Sequence, residues 1–246
     1  MPASKDNSDG RNDVALATAA RVLADGGIVV YPTETLYALG ADAWNPVLLQ
    51  RLIELKGREA GKPIAVLIGG IEMLGDLAAE IPPEAEVLMR RFWPGPLTLV
   101  LRARASVAPV LTGGGDGIGV RLSSHPLATA LVRALGRPVT APSANPAGMQ
   151  PPVRADEARA YFGARVDYYL DGGTLHGEPA STVVDVRAGL QVIREGAVAV
   201  DEVCAALAHK SKVQTPRSKV EGDDGSLRVP SPPGREPALS PSKGSG

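Results

Sequence analysis

The fold is decided by a stretch that reads Ile28-Val29-Val30-Tyr31-Pro32-Thr33-Glu34-Thr35. Its first four residues are apolar, and such a run predicts a short buried strand. The polar residues after Pro32 predict a loop at the end of that strand. Upstream, apolar residues recur at helical spacing from Asp13 to Ala24 and stop at Gly26-Gly27, which predicts a helix. The stretch is therefore expected to join a helix, a strand and a polar loop.

The alternation of strands and helices continues along the chain. Further strands are predicted at residues 64–68, 97–101, 118–122, 138–140, 168–170, 182–186 and 191–194. Further helices are predicted at residues 47–55, 83–92, 126–135 and 155–162. The first of these helices has Asn45 as a suitable N-cap and Pro46 at its first position. Interleaved elements of this kind predict an α/β fold, in which a twisted, mostly mixed β-sheet is flanked by helices.

Length and composition favour one large domain with polar ends. The 246 residues are 44% hydrophobic but only 4% aromatic, so aliphatic side chains must build the core. We expect a disordered N-terminus over residues 1–12, a folded domain over residues 13–209, and a disordered tail rich in Pro, Ser and Lys over residues 210–246. Apolar residues in the tail are too scattered to offset the entropy cost of ordering it. The tail has seven basic and four acidic residues, a net charge of +3, which leaves residues 1–209 at −4.

Composition also bounds the compartment and the partners. Cys204 is the lone cysteine, so an internal disulfide is excluded and a reducing compartment is favoured. The three histidines are isolated from one another and from this cysteine, which argues against a transition-metal site. Residues 1–13 lack the apolar core of a secretory signal, and no run approaches the roughly 20 apolar residues of a membrane span. We expect a cytoplasmic protein with no membrane association. The net charge of −1 restricts any RNA contact to a local patch.

Two glycine-containing segments partly match known phosphate-binding motifs. Gly57 to Pro63 resembles a Walker A loop, but it is one residue short between the glycines and has proline where the magnesium-binding hydroxyl belongs. Gly113 to Gly119 opens a predicted strand rather than a helix and lacks the dinucleotide-binding spacing. Neither motif is present, and the second segment is interpreted as a flexible turn.

Basic side chains lie where predicted elements end. Lys56 and Arg58 follow a helix, while Arg121 and Arg194 lie at the ends of strands. Nucleotidyl transfer requires cations that stabilise a pentavalent phosphate and the departing pyrophosphate, and Lys56 and Arg58 are placed for this task. The plainer alternatives are that this pair complements the helix dipole and that the two strand-terminal arginines are solvated.

Hydroxyl and amide side chains occupy similar positions. Ser143 and Asn145 follow a strand and are flanked by prolines that keep the backbone extended, although a structural turn uses the same residues. Ser181 opens a strand and could bind a ligand or only the local backbone. Thr33 lies at the junction of the first strand with its loop, where it could bind a small polar ligand, and Glu34 is the natural candidate for a local ion pair.

Taken together, these segments resemble those of the YrdC/TsaC family from about residue 15 to residue 196. The matching segments are residues 31–40, Lys56-Gly57-Arg58 with Lys62-Pro63, residues 93–98, Val120-Arg121, residues 141–145, residues 181–185 and residues 193–196. The resemblance implies the family's fold with a concave ligand-binding face. It also implies the family's reaction, in which L-threonine, bicarbonate and ATP give threonylcarbamoyl-adenylate and pyrophosphate. That product is the first step toward the threonylcarbamoyl-adenosine modification of tRNA.

The resemblance assigns roles to residues of this chain. It implies that Lys56 and Arg58 are catalytic. The residues implied to bind ATP are Lys56, Arg58, Ser143, Asn145 and Arg194. The residues implied to bind L-threonine are Thr33, Arg121 and Ser181. Mg²⁺ is expected to arrive with ATP, without a metal site made by the protein and without a tightly bound organic cofactor. The expected partner is the machinery that transfers the product to tRNA, and a direct tRNA contact stays open.

Two residues depart from the family pattern. Ala38 stands where glycine is usual, and Glu59 stands where proline is frequent. Because Glu59 places a negative charge near the proposed phosphate cations, we expect an effect on rate rather than on fold. The polar tail is too short for the second domain of longer relatives, so a short, single-domain form is expected.

Two alternatives stay open. The same fold occurs as a carbamoyltransferase domain in hydrogenase-maturation proteins, but those chains are much longer and carry Cys-rich zinc motifs that this sequence lacks. A non-catalytic RNA-binding module is the other alternative, and the acidic balance of residues 1–209 argues against it.

Overall fold

The computed structural model describes residues 6–59, 61–177 and 179–208. The first helix begins at Asp6 rather than at the predicted Asp13. The expected disorder of the N-terminus stays a prediction. The predicted disorder of residues 1–5 and of the tail over residues 210–246 falls outside the described residues.

Helices and strands alternate as the sequence predicts. The helices are α1 (Asp6–Ala24), α2 (Pro46–Lys56), α3 (Leu74–Leu77), α4 (Pro83–Phe92), α5 (Pro109–Thr112), α6 (Pro126–Leu135), α7 (Ala155–Phe162) and α8 (Val200–Ala208). The strands are β1 (Val29–Pro32), β2 (Tyr37–Gly40), β3 (Val66–Leu67), β4 (Leu97–Arg102), β5 (Gly117–Arg121), β6 (Val139–Thr140), β7 (Tyr168–Tyr169), β8 (Thr182–Asp185) and β9 (Gln191–Arg194). Each predicted strand is present within a few residues of its predicted ends. The prediction missed β2, α3, α5 and α8.

The strands form two mixed sheets rather than one. One sheet has the order β2-β1-β7, and the other has the order β6-β3-β5-β4-β8-β9. Parallel pairs such as β3 with β5 lie beside antiparallel pairs such as β4 with β5. Isolated bridges from Ala38 to Ser143 and from Asp42 to Val139 join the two sheets. The predicted mixed α/β fold with flanking helices is therefore confirmed, with the sheet divided in two.

Helices cover the sheets from two sides, and two apolar clusters form the core. In the smaller cluster, Leu23 of α1 and Leu131 of α6 pack with Val29 of β1. In the larger one, Leu49 and Leu52 of α2 are fully buried beneath the β-strands. Each buried leucine contributes roughly 1.5–3 kcal/mol. This packing holds β1 and α2 rigidly, and both elements lead directly into candidate site residues.

Helix α2 forms as its sequence predicts. The Asn45 side chain accepts hydrogen bonds from the backbone N–H groups of Val47 and Leu48, at 3.1 and 3.2 Å. The helix ends at Gly57, whose φ of 58° is in the left-handed region that favours glycine. The left-handed turn at Gly57 reverses the chain, so Arg58 lies next to the end of α2.

No helix among the described residues is long and apolar enough to cross a membrane.

Candidate active site

The loop between β1 and β2 is closed by the Thr33 hydroxyl. This hydroxyl donates to the Leu36 carbonyl at 2.7 Å and accepts the backbone N–H groups of Thr35 and Leu36, both at 3.2 Å. The hydroxyls of Thr33 and Thr35 are 3.1 Å apart. Thr33 therefore shapes the loop, and Thr35 extends the hydroxyl pair toward the next group of residues.

Arg121 is buried at the end of β5 and is held by several contacts. Its side chain is 8% exposed, and its Nη2 atom lies 2.8 Å from the carboxylate of Glu34, which is 15% exposed. Its Nε donates to the Gly95 carbonyl at 3.2 Å, and both Nη atoms donate to Thr35 Oγ1, at 3.3 and 3.4 Å. The expected ion pair of Glu34 is confirmed, and the strand-terminal Arg121 is buried rather than solvated.

Glu34 remains a carboxylate in this setting. Burial alone would raise the pKa of Glu34, but the charge of Arg121 and the hydrogen bond from Ser123 outweigh it, so the pKa lies below its usual range. The Ser124 backbone N–H also donates to this carboxylate, at 3.3 Å.

A second pair of hydroxyls lies beside Arg194. Parallel pairing of β4 with β8 brings Thr98 and Ser181 together, with their hydroxyl oxygens 2.9 Å apart. The Arg194 guanidinium donates to the Ser181 carbonyl, at 2.7 and 3.2 Å. Burial and the nearby positive charge of Arg121 both lower the pKa of Arg194. Arg194 is predicted to bind ATP, but it lies among residues that are predicted to bind threonine.

Lys56 is directed into the fold from the last turn of α2. It is 4% exposed, and its ammonium donates to the Ser143 carbonyl and, at 2.6 Å, to the Asn145 carbonyl. The backbone N–H of Ala147 donates to the Lys56 carbonyl at 2.8 Å. Burial, and then the charge of Arg58, lowers the pKa of Lys56 to about 8. Lys56 thus holds the loop at residues 143–147. A lysine that only complemented the helix dipole would not make these contacts.

Asn145 and Arg58 leave buried polar atoms unused. The Asn145 amide nitrogen donates to the carbonyls of Pro146 and Met149 at 2.9 and 2.7 Å, while its Oδ1 is buried without a hydrogen-bond partner in the described structure. Arg58 donates to the Pro63 carbonyl at 2.7 Å, and its Nε is also buried and unpaired among these residues. Burial lowers the pKa of Arg58. An unpaired acceptor beside cations is a place for a ligand, because such atoms are rarely left unsatisfied.

The charges of Lys56 and Arg58 are not paired with carboxylates of the described residues. Within the described ranges, no carboxylate forms a salt bridge with Lys56 or Arg58. Glu59, expected to lie near these cations, instead pairs with Lys62 at 2.8 Å, and its side chain is 78% exposed. The charges of Lys56 and Arg58 are therefore not neutralised by a carboxylate of the described residues.

The eight predicted residues thus form two groups that lie on either side of the start of β2. Each group is named for the ligand that the sequence predicts for most of its members. The substrate group contains Thr33, Arg121, Ser181 and Arg194, and the polyphosphate group contains Lys56, Arg58, Ser143 and Asn145. Ala38 of β2 bridges Ser143, and the Ala144 N–H donates to the Tyr37 carbonyl at 2.8 Å. Thr35 lies only two residues before Tyr37. Strand β2 therefore connects the two groups.

Some residues of the site escaped the prediction. The sequence predicts no role for three residues that lie in the site: Thr35, Thr98 and Ser123. Each of them contacts a residue for which a role is predicted. One signal was available, since Thr35 repeats the hydroxyl of Thr33 two residues later. Nothing local to the sequence marked Thr98 as the neighbour of Ser181.

No metal-ligand cluster marks this site among the described residues. No group of three or more His, Cys, Asp or Glu side chains in the described part of the chain could hold a metal ion. Cavities of about 460 and 320 Å³ lie elsewhere, along α2 and beside Arg187. The expected concave face remains a prediction.

A mixed α/β fold with cations and hydroxyls at its loop ends belongs to a class in which proteins commonly hold small anionic ligands. Comparison with known proteins identifies the family. A family profile named for Sua5, YciO and YrdC, and described as "Telomere recombination", matches residues 21–196. The chain belongs to the Sua5/YciO/YrdC family.

Relatives and a solved structure agree with this membership. The chain is 41% identical over 186 residues to the threonylcarbamoyl-AMP synthase of Pyrococcus abyssi, covering 75% of this chain and 55% of that protein. It is 40% identical over 167 residues to the threonylcarbamoyl-AMP synthase of Thiobacillus denitrificans, covering 68% of this chain and 88% of that protein. The crystal structure of P. abyssi Sua5 complexed with L-threonine is similar, with a TM-score of 0.76, 39% identity, and coverage of 78% of this chain and 57% of that one. The chain thus spans little more than half the length of the Pyrococcus relative.

Proposed function

We propose that this chain is an L-threonylcarbamoyladenylate synthase, a nucleotidyltransferase that uses L-threonine, bicarbonate and ATP. The observation that carries the proposal is the polyphosphate group. Lys56 is buried and Arg58 is partly buried, and neither has a carboxylate partner among the described residues. The unpaired Oδ1 belongs to Asn145, whose carbonyl accepts a hydrogen bond from Lys56. The names of the enzyme relatives and the threonine complex of the Pyrococcus protein support the choice of substrates.

The reaction needs two bond-forming steps. The amine of threonine attacks carbon dioxide derived from bicarbonate and loses a proton, giving an N-carboxylate. An oxygen of this carboxylate then attacks the α-phosphorus of ATP, and the bond from that phosphorus to the bridging oxygen breaks, so pyrophosphate leaves. Neither step requires a protein nucleophile, and catalysis consists of positioning and charge stabilisation.

The two groups divide this work. Arg121 and the hydroxyls of Thr33, Thr35 and Ser181 would bind the carboxylate and hydroxyl of threonine. Arg194 lies next to them and would contact the nucleotide near the reacting carboxylate.

Lys56 and Arg58 would neutralise the polyphosphate, while Ser143 orients it. Mg²⁺ would supply further charge neutralisation on ATP, and the unpaired Asn145 Oδ1 is an oxygen ligand of the kind that this hard cation prefers.

The test is pyrophosphate release from ATP and magnesium by the purified full chain. L-threonine and bicarbonate are each added or withheld. We expect release only when both are present. Release that ignores either one, or no release from folded protein in any combination, would contradict the proposal. Steep, salt-dependent RNA binding without turnover would then favour an RNA-binding module.

The product is a reactive mixed anhydride of a carbamate and a phosphate. It must therefore be consumed by a group-transfer reaction, and we assign that step to the machinery that modifies tRNA. A cytoplasmic location follows from this role as part of the proposal.

A further inference from the structure

Glu34 has no role in the reaction described above, yet it is one of the best-held side chains of the substrate group. Its carboxylate faces Arg121 at 2.8 Å in a nearly buried ion pair. A side chain with this burial costs folding free energy unless its charge is fully paired. A buried ion pair is weak evidence for stability, so the presence of the Glu34–Arg121 pair needs another explanation.

Glu34 is itself held from its far side by the turn that precedes α6. The Ser123 hydroxyl donates to Oε2, the same oxygen that faces Arg121, and the Ser124 N–H donates to Oε1 at 3.3 Å. The His125 N–H in turn donates to Ser123 Oγ at 3.2 Å. The carboxylate therefore has a fixed position relative to a helix of the scaffold, and Arg121 takes its position from it.

The remaining contacts of Arg121 are long enough for a ligand to replace some of them. The Gly95 carbonyl occupies Nε at 3.2 Å, and the two longest contacts, at 3.3 and 3.4 Å, are those to Thr35 Oγ1. Long contacts to a neutral hydroxyl are weaker than those to a carboxylate, so a carboxylate can replace them. The guanidinium edge nearest Thr35 is thus the one open to exchange.

We propose that Glu34 is a positioning residue that, together with Ser123, aims the free edge of Arg121 at the carboxylate of an α-amino acid substrate. The inference rests on the proposed function, because it gives Arg121 the substrate carboxylate. Glu34 acts through Arg121 and does not take a proton from the substrate. The hydrogen bonds on its oxygens and its lowered pKa keep it ionised, which supports this role.

The charge balance of the substrate group agrees with this role. Glu34 cancels the charge of Arg121, while Arg194 has no salt-bridge carboxylate in the described ranges. The group therefore carries one net positive charge, which suits a single carboxylate. Without Glu34, Arg121 would lose its shortest contact and would be free to rotate toward other acceptors.

The test uses the full chain with Glu34→Gln and Ser123→Ala, and Glu80→Gln as the matched control. Glu80 also pairs with an arginine, Arg102 at 3.1 Å, but at a surface where both partners are about half exposed. Steady-state pyrophosphate release gives KM for threonine and for ATP separately. We expect Glu34→Gln to raise KM for threonine roughly tenfold or more and Ser123→Ala to raise it several-fold, with KM for ATP within about twofold. The control should match the wild type.

Glu34→Gln leaves a buried arginine unpaired and is expected to destabilise the fold. Glu34→Asp is therefore included, because it keeps the charge but withdraws the carboxylate by one methylene. It should remain folded and still show a raised KM for threonine. Equal rises in both KM values, or an unchanged KM for threonine in Ser123→Ala and Glu34→Asp, would overturn the inference.

Calorimetric titration of L-threonine into each protein separates this inference from the proposed function. If the wild type binds threonine and the Glu34 and Ser123 variants bind it more weakly, Glu34 keeps its role even when no pyrophosphate is released. If the wild type releases pyrophosphate and all variants bind threonine alike, only the inference fails. If the wild type neither binds threonine nor releases pyrophosphate, both fail.

Discussion

Replacing Lys56 with methionine should abolish turnover while leaving the protein folded. Burial lowers the pKa of Lys56 from 10.5 to about 8, so keeping this ammonium charged inside the fold costs about 3 kcal/mol. Methionine removes that cost. It also removes the hydrogen bonds to the carbonyls of Ser143 and Asn145, each worth roughly 1.5–3 kcal/mol when the donor is charged. The two effects largely offset each other, and we expect the free energy of unfolding at pH 7 to fall by no more than about 3 kcal/mol.

In turnover, no gain offsets the loss of the Lys56 ammonium. Loss of a fixed cation beside a developing phosphate charge typically lowers kcat by about a hundredfold or more. The matched control is Lys62→Met, which removes a lysine that is 57% exposed from the same segment. Urea unfolding measures stability and pyrophosphate release measures turnover. A folded Lys56→Met protein with turnover near that of the wild type would refute the reasoning.

The pH dependence gives a second signature of Lys56. Between about pH 8 and 10.5 the unfolded chain keeps the Lys56 proton and the folded chain loses it, so stability from this group rises with pH in that window. Below pH 8 both states are protonated and the contribution is constant. ATP binding should move in the opposite direction, weakening above pH 8 as the cation is lost. Calorimetry with ATP and urea unfolding from pH 7 to 10 check both trends, each taken as the difference between the wild type and Lys56→Met. The difference is needed because burial also raises the pKa of Tyr31 and Tyr37, which changes stability toward pH 10 in both proteins.

Three further substitutions test particular contacts. Asn145→Ala strips donors from the carbonyls of Pro146 and Met149 and removes the unpaired Oδ1, so we expect a loss of about 2 kcal/mol in urea unfolding and a weaker calorimetric ATP affinity. Glu59→Gln should leave kcat/KM within about twofold, because its carboxylate faces exposed Lys62; a tenfold rise would contradict that geometry. Ala38→Gly, in β2, should lower the free energy of unfolding by roughly 0.5–1 kcal/mol, with turnover unchanged, and a gain of activity would show that the methyl group obstructs the site.

Local signals in the sequence were sufficient where an element is stabilised by its own residues. Asn45, Pro46 and Gly57 define α2 by capping, and the apolar runs of β1 and β5 define buried strands. Strand β2 was missed because Tyr37-Ala38-Leu39-Gly40 contains no β-branched residue, and it is a strand only because β1 pairs with it. Long-range pairing of this kind leaves no trace in a short window of sequence.

The candidate site shows the same limit. The sequence placed cations at element ends, and the structure indeed gathers the eight predicted residues into two groups. It could not show that Lys56 would bind the carbonyls of Ser143 and Asn145, because 87 and 89 residues separate them in the chain. It also could not show that Arg194 would lie beside Arg121 rather than with Lys56, since strand order decides that neighbourhood.

Strand β2 is shared by the two groups of the site, and this has a thermodynamic consequence. The loop that carries Thr35 runs directly into Tyr37, whose carbonyl receives the Ala144 N–H beside Ser143. Any displacement of this strand on filling one group changes the free energy of filling the other. Linkage then requires reciprocity, so the factor by which threonine changes the ATP dissociation constant must equal the factor by which ATP changes that of threonine. Coupling through this short strand would add to the direct contact between the two substrates that the proposed reaction requires.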